Sequence, residues 1–294
     1  MFLLLSLLSA TGLSTTTLVT IFALLLGTYF VLFPQINRKW QERKWKKWSN
    51  TPKDLVIMHA IFRGRTVPHP SPFVLKLETY LRMAKIPYKA DISIIDAWGP
   101  KSRFPWISIN GQHLGDSQLA IEYLNKKFEV KLGHEYSKSE LAIGAVVRVM
   151  VDDHLFWAIP MERFVYAPYH RLAEVMGSHL PKWVIWIYYK VLQGQVIKRS
   201  KGHGIGLNPQ EEVQRLTQDD LKHLSTILGQ RKFLLGEYPS EYDCTVFGHL
   251  AQAMWGLPGS SFEKAVKEEF PNLKEYCLRI KETYYPDWDE VVDK

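Results

Sequence analysis

Two helix starts carry the side chains best placed for chemistry in this 294-residue chain. At Asp116-Ser117 a carboxylate can meet an amino group, while the serine hydroxyl and the first helix N–H groups receive a carboxylate. At Ser71-Pro72 a hydroxyl again stands at a helix start, with Ser at the N-cap and Pro in the first turn. Both pairs also serve as caps, so cap alone and ligand contact remain open for each. Other candidates lose their chemistry to spacing. Cys244 and Cys277 fall far apart on different expected helices, whereas a soft metal wants clustered thiolates, so no metal is expected. Asp152, Asp153 and His154 are consecutive, so at most two share a helix face, and they read as solvated or hydrogen-bonded positions. His59, inside an apolar run, reads as a core histidine. Lys198–Gly206 reads as a loop rich in base and glycine without the spacing of a phosphate cradle.

The elements that would position these groups follow from periodicity. Residues 54–62 are almost wholly apolar, as in a strand buried on both faces. Phe73, Leu77, Tyr80, Leu81 and Ala84 then repeat at helical spacing, with Glu78 and Arg82 on the other side. A second strand over 88–95 makes a βαβ unit. Asn110-Gly111 between two extended runs predicts a type I′ hairpin, and Asp116-Ser117 starts a helix with Ala120, Tyr123, Leu124 and Phe128 on its apolar face. This order is thioredoxin-like and occupies 53–128. From 137 to 294 the chain reads as an all-α domain, in which Ser240-Glu-Tyr-Asp243 is a capping box. The Trp/Tyr stripe at 183–189 reads as core, as the lining of an apolar pocket, or as a face resting on a membrane.

The block from Pro105 through Asn110-Gly111 to Asp116-Ser117 and Tyr123-Leu124 resembles the glutathione-binding half of glutathione S-transferases. Ser71-Pro72-Phe73 through Ile86-Pro87-Tyr88, with the closing segment Phe270 to Trp288, is similar to the failed-axon-connections, metaxin-like group, and among those to the nematode cadmium-responsive proteins. The resemblance covers roughly 53–289. It implies glutathione as co-substrate, with Asp116 and Ser117 holding its γ-glutamyl head. Pro105, at the family's cis-proline position, would present the backbone of Phe104 to the cysteinyl backbone. Ser71 would activate the thiol as the catalytic residue. The implied function is glutathione binding with thiol conjugation in stress or heavy-metal detoxification. The alternative is a non-catalytic interaction module with protein partners or a homodimer. The short, irregular Asp96–Arg103 segment, where a glutathione-clamping helix would be expected, and the lack of a Tyr or Cys nucleophile favour that alternative.

Composition sets the remaining expectations. With 46% hydrophobic residues and 2 cysteines the chain is neither a disordered polymer nor a disulfide scaffold. Its formal charge of +7 is unevenly spread: residues 38–47 contribute +5 and everything from Trp48 onward +2. The body is nearly neutral, and no nucleic-acid partner is expected. Residues 1–37 carry no charge, and 13–33 form a largely apolar stretch of 21 residues, roughly 30 Å as a helix. The expectation is an N-terminal transmembrane helix within a 1–37 anchor, followed by a basic, Trp-bearing linker over 38–52 that meets the membrane. By the positive-inside rule, the chain is then a single-pass membrane protein with its soluble domain in the cytosol.

Overall fold

The computed structural model describes residues 39–93, 96–175 and 182–292. Residues 51–294 cluster as one compact unit, apart from residues 1–50, of which the described part is a helix over 39–49. The membrane-spanning helix expected over 13–33 lies outside the described residues. Among those residues no helix is long and apolar enough to cross a membrane. Helix Lys182–His203 has the length, at 22 residues, but carries Lys190, Lys198, Arg199 and Lys201 along it. The assignment as a single-pass membrane protein with a cytosolic body, and the membrane as partner through an N-terminal helix, are corrected accordingly.

The larger unit opens with a four-stranded sheet. β1 (Val56–Ala60) pairs in parallel with β2 (Tyr88–Ile92) and antiparallel with β3 (Trp106–Ile109), and β3 pairs with β4 (Gln112–Gly115), giving the order β2-β1-β3-β4. All of β1 and β3 is buried, in keeping with the almost wholly apolar run over 54–62. Asn110 and Gly111 both take positive φ, 47° and 77°, the requirement that selects Asn-Gly for this turn. His59 is a satisfied core histidine. Its Nδ1 meets Asp91 at 2.8 Å, its Nε2 meets Ser108 at 3.0 Å, and its ring stacks on Trp106.

Helix α1 (Pro72–Met83) crosses from β1 to β2, and α2 (Ser117–Lys127) follows the hairpin. The polar side of α1 is buried too, because the helical half covers it. Lys76, Glu78 and Thr79 are all fully buried. The Glu78 carboxylate is held by Arg63 through a two-pronged contact (2.8 and 3.2 Å) and accepts the Tyr88 hydroxyl at 3.0 Å. Burial pushes that carboxyl up, but His69 and Arg63 outweigh it and keep Glu78 ionised, well below the usual range. The contact ties the 63–70 loop, just ahead of Ser71, to the helix.

The helical half comprises α3 (Lys138–Val149), a π-helical turn (Met150–His154), a second π turn (Glu162–Tyr166), α4 (Tyr169–Val175), α5 (Lys182–His203), α6 (Gln210–Leu228), α7 (Glu241–Gly256) and α8 (Pro271–Tyr284). The glycine- and base-rich stretch expected to be a loop from Lys198 is helical through His203. Gly204, at φ 102°, ends it. α7 packs tightly on α1 because Gly248 permits it: a Cβ there would come within 2.7 Å of the Pro72 carbonyl oxygen. The capping box at the head of α7 is buried, and Asp243 accepts bonds from the N–H groups of Ser240 and Leu234.

Candidate functional site

The start of α2 forms one wall of a cleft of about 520 Å³ between the sheet half and the helical half. Asp116 sits at the N-cap with φ 88°, and one carboxylate oxygen accepts the N–H groups of Gln118 (2.9 Å) and Leu119 (3.2 Å). The helix therefore supplies fewer open donors than its sequence suggests, since Asp116 occupies two of them. Its second carboxylate oxygen has no partner among the described residues, and the same holds for the hydroxyl and N–H of the buried Ser117. Phe104 and Pro105 line the same cleft, and the peptide bond between them is cis. Phe104 precedes β3, and its own N–H and C=O enter no bond among the described residues.

Ser71 stands apart from this group. It lines a neighbouring, mainly apolar pocket of about 240 Å³, and Phe104 is common to both spaces. At the N-cap of α1 its backbone is extended, yet its hydroxyl makes no cap bond. Ser71 still starts the helix through its carbonyl, which accepts the Leu75 N–H at 3.1 Å, while its hydroxyl makes no bond among the described residues. At Asp116 the cap is real, and it uses only half of the carboxylate.

Sequence reasoning missed several cleft residues. Lys101 and Arg103 come from the irregular segment where a clamping helix was expected, and they bring positive charge to the cleft. From the helical half come Arg148, Asp152 and Asp153. Asp152 accepts a 2.6 Å ion pair from the buried Lys76, so the hydrogen-bonded reading of this cluster is met through a partner 76 positions away in sequence. His154 turns elsewhere, to Asp220. The basic residues at 101 and 103, directly before Phe104-Pro105, were the one signal available in advance.

Under the cleft, His249 on α7 is fully buried. Its Nδ1–H donates to the Thr245 carbonyl (2.9 Å), and its Nε2 lies 3.9 Å from the Asp152 carboxylate. Burial lowers its pKa to about 4, so the ring is neutral. Cys244 and Cys277 are both buried free thiols, and burial pushes both up. Thiolate, the metal-binding form, is therefore disfavoured at each. Among the described residues no group of three or more His, Cys, Asp or Glu side chains is arranged to hold a metal ion.

The profile of the glutathione S-transferase N-terminal domain matches residues 72–168, and that of the glutathione S-transferase C-terminal domain matches 217–280. The chain belongs to the glutathione S-transferase superfamily. Within it, the chain groups with the failed-axon-connections and metaxin-like proteins. It is 29% identical over 258 residues to Failed axon connections of Drosophila melanogaster, covering 84% of this chain but 62% of that relative's length. It is 22% identical over 229 residues to Metaxin-2 of Mus musculus, covering 73% and 82% of the two chains. It is also 27% identical over 246 residues to isoprene-epoxide–glutathione S-transferase of Rhodococcus sp. (strain AD45), covering 78% of this chain and 99% of the enzyme. In this transferase fold the cleft lies beside the cis-proline and the start of α2, and the apolar pocket beside the start of α1.

Proposed function

We propose that this chain binds glutathione in the larger cleft and conjugates its thiol to an electrophile seated in the apolar pocket. The observation that carries this reading is the uncommitted hydroxyl of Ser71 at the start of a 12-residue helix, on a pocket that shares Phe104 with the cleft. The γ-glutamyl ammonium meets the open oxygen of Asp116, and its carboxylate takes the hydroxyl and N–H of Ser117. The cysteinyl backbone pairs with the N–H and C=O of Phe104 as an added strand does. The sulfur then comes to the Ser71 hydroxyl. A hydrogen bond from that hydroxyl and the positive end of α1 favour thiolate over thiol. The thiolate attacks an electrophilic carbon, forming the S–C bond while a halide leaves or an epoxide opens and its oxygen takes up a proton.

Support comes from the family membership and from the fully spanned bacterial relative, named for an epoxide–glutathione transfer. The test is turnover with isoprene epoxide and with an activated aryl halide. Ser71→Ala is expected to lower the rate by ~10²-fold or more, the order found when a single activating donor is removed, with glutathione affinity retained. An unchanged rate would remove Ser71 from the chemistry.

A second reading, a non-catalytic interaction module, is favoured by one feature. Ile143, Val146 and Val149 form an exposed apolar row along α3, Val146 being 70% exposed, and such rows mark contact surfaces. On that reading the cleft carries no glutathione.

A further inference from the structure

Helix α5 has two apolar faces, and only one of them is packed. Contacts fix which face turns inward. The buried Tyr189 donates its hydroxyl to the Ala167 carbonyl at 3.3 Å, and the Gln193 side-chain amide donates to the Phe164 carbonyl at 2.8 Å. At 3.6 residues per turn, Trp183, Trp186, Ile187 and Val191 then fall with Lys190, Lys198 and Lys201 on an outward arc of about 140°. Each of these side chains is exposed, Trp183 by 66%. Gly194 lies in the middle of the arc, and a Cβ added there would meet nothing within 4 Å. The centre of the face is therefore bare.

The charge on this helix is one-sided. Between Glu174 and Glu211 the sequence holds no acid, while it carries Lys182, Lys190, Lys198, Arg199 and Lys201. Lys190 reaches the Gln193 side chain at 3.2 Å and the Tyr189 ring. None of the three outward lysines forms an ion pair among the described residues. Lysine is depleted in protein interfaces, and a second copy docked on this face would set like charge against like. At a bilayer surface each residue type has a place. Indole rings sit at headgroup level, and Ile and Val enter the acyl boundary. Lysine stems lie along the apolar surface while their ammonium groups meet lipid phosphates and carboxylates.

We propose that the outward face of α5 docks on an anionic lipid bilayer, with the helix lying in the plane of the headgroups. The contact is peripheral, since the cations spaced along the helix bar a path across the hydrocarbon. It goes beyond glutathione conjugation and does not depend on it.

The test is co-sedimentation of the full chain with vesicles of phosphatidylcholine and with an equimolar mixture of phosphatidylcholine and phosphatidylserine. Hydrogen exchange over 182–203 locates the contact. Binding to the mixture is expected to be at least ~10-fold tighter, at about 5-fold per engaged lysine, with slowed exchange in α5. Gly194 supplies the decisive variants, because open space surrounds it and Asp and Lys are both at least as good helix formers as glycine. Gly194→Asp should weaken binding to the mixture about 5-fold and Gly194→Lys should strengthen it by a similar factor. Trp183→Ser combined with Trp186→Ser should weaken binding to both kinds of vesicle. Equal binding by the parent and both Gly194 variants overturns the proposal, as does vesicle binding without slowed exchange in α5. Slowed exchange in α5 with an acidic amphipathic peptide but not with vesicles also overturns it, and makes this face a protein contact.

Discussion

Asp243→Ala is expected to cost this protein about 3–5 kcal/mol of stability. The carboxylate accepts the Leu234 N–H at 2.7 Å, the Ser240 N–H and hydroxyl at 2.8 Å each, and the Tyr276 hydroxyl at 3.0 Å. Alanine leaves two buried backbone donors and a serine hydroxyl without acceptors, at ~1–3 kcal/mol each. Relief of the cost of burying the carboxyl, which raises its pKa, offsets part of the loss. Against a total stability on the order of 5–15 kcal/mol, this is a large fraction. The effect reaches the site, because α7 carries His249 and Gly248 and packs directly on α1 behind Ser71. Asp243→Asn, which keeps one acceptor oxygen, should fall between parent and alanine. Thermal unfolding of the three proteins checks this; an alanine variant within about 1 kcal/mol of the parent would show that the box is dispensable.

The second large effect is acid destabilisation through His249. Its folded-state pKa is held near 4 by burial, against an ordinary 6.5. Between those values the unfolded chain binds a proton that the folded one does not, so stability falls as pH drops through the window. At 1.36 kcal/mol per unit the full interval is worth roughly 3 kcal/mol. His69, fully buried and also pushed down by burial, acts in the same direction. Asp243 and Asp220, whose carboxyls burial pushes up, act in the opposite one. The diagnostic quantity is therefore the difference between parent and His249→Met. Denaturant unfolding at a series of pH values should show a shallower decline in the variant from pH 6.5 to 4. Parallel curves would show that His249 is not neutral in the fold.

Much of the sheet half was legible in the chain itself. The apolar run at 54–62 contains β1, Asn110-Gly111 makes its hairpin, and Asp116 caps α2 as its type and position demand. These are local signals, written in neighbouring residues. What sequence did not reveal depends on partners brought from far along the chain. Glu78, read only as lying opposite the apolar face with Arg82, is 3.9 Å from Arg82 but fully buried, with Arg63, His69 and Tyr88 on its carboxylate. Asp152 gains its meaning from Lys76, and Arg163 from carbonyl and amide oxygens at positions 70, 252 and 256. Lys198–His203 looked like a loop because Gly202 and a cluster of bases suggest one, but α5 continues through them until Gly204. The Trp/Tyr stripe divides three ways: Tyr189 is core, Tyr188 lines the pocket, and Trp183 and Trp186 are at least half exposed. For the site, residue types around Asp116 and Phe104 pointed to the cleft, whereas the cations at 101, 103 and 148 required the fold to place them.

Titration of the chain with reduced glutathione by calorimetry decides whether the cleft beside Asp116 and Ser117 binds the tripeptide. A saturable heat at millimolar glutathione with one site per chain is expected, preserved in Ser71→Ala and weakened in Ser117→Ala, where the γ-glutamyl carboxylate loses a donor. A titration showing only the heat of dilution would contradict it and leave the interaction module as the function of this fold.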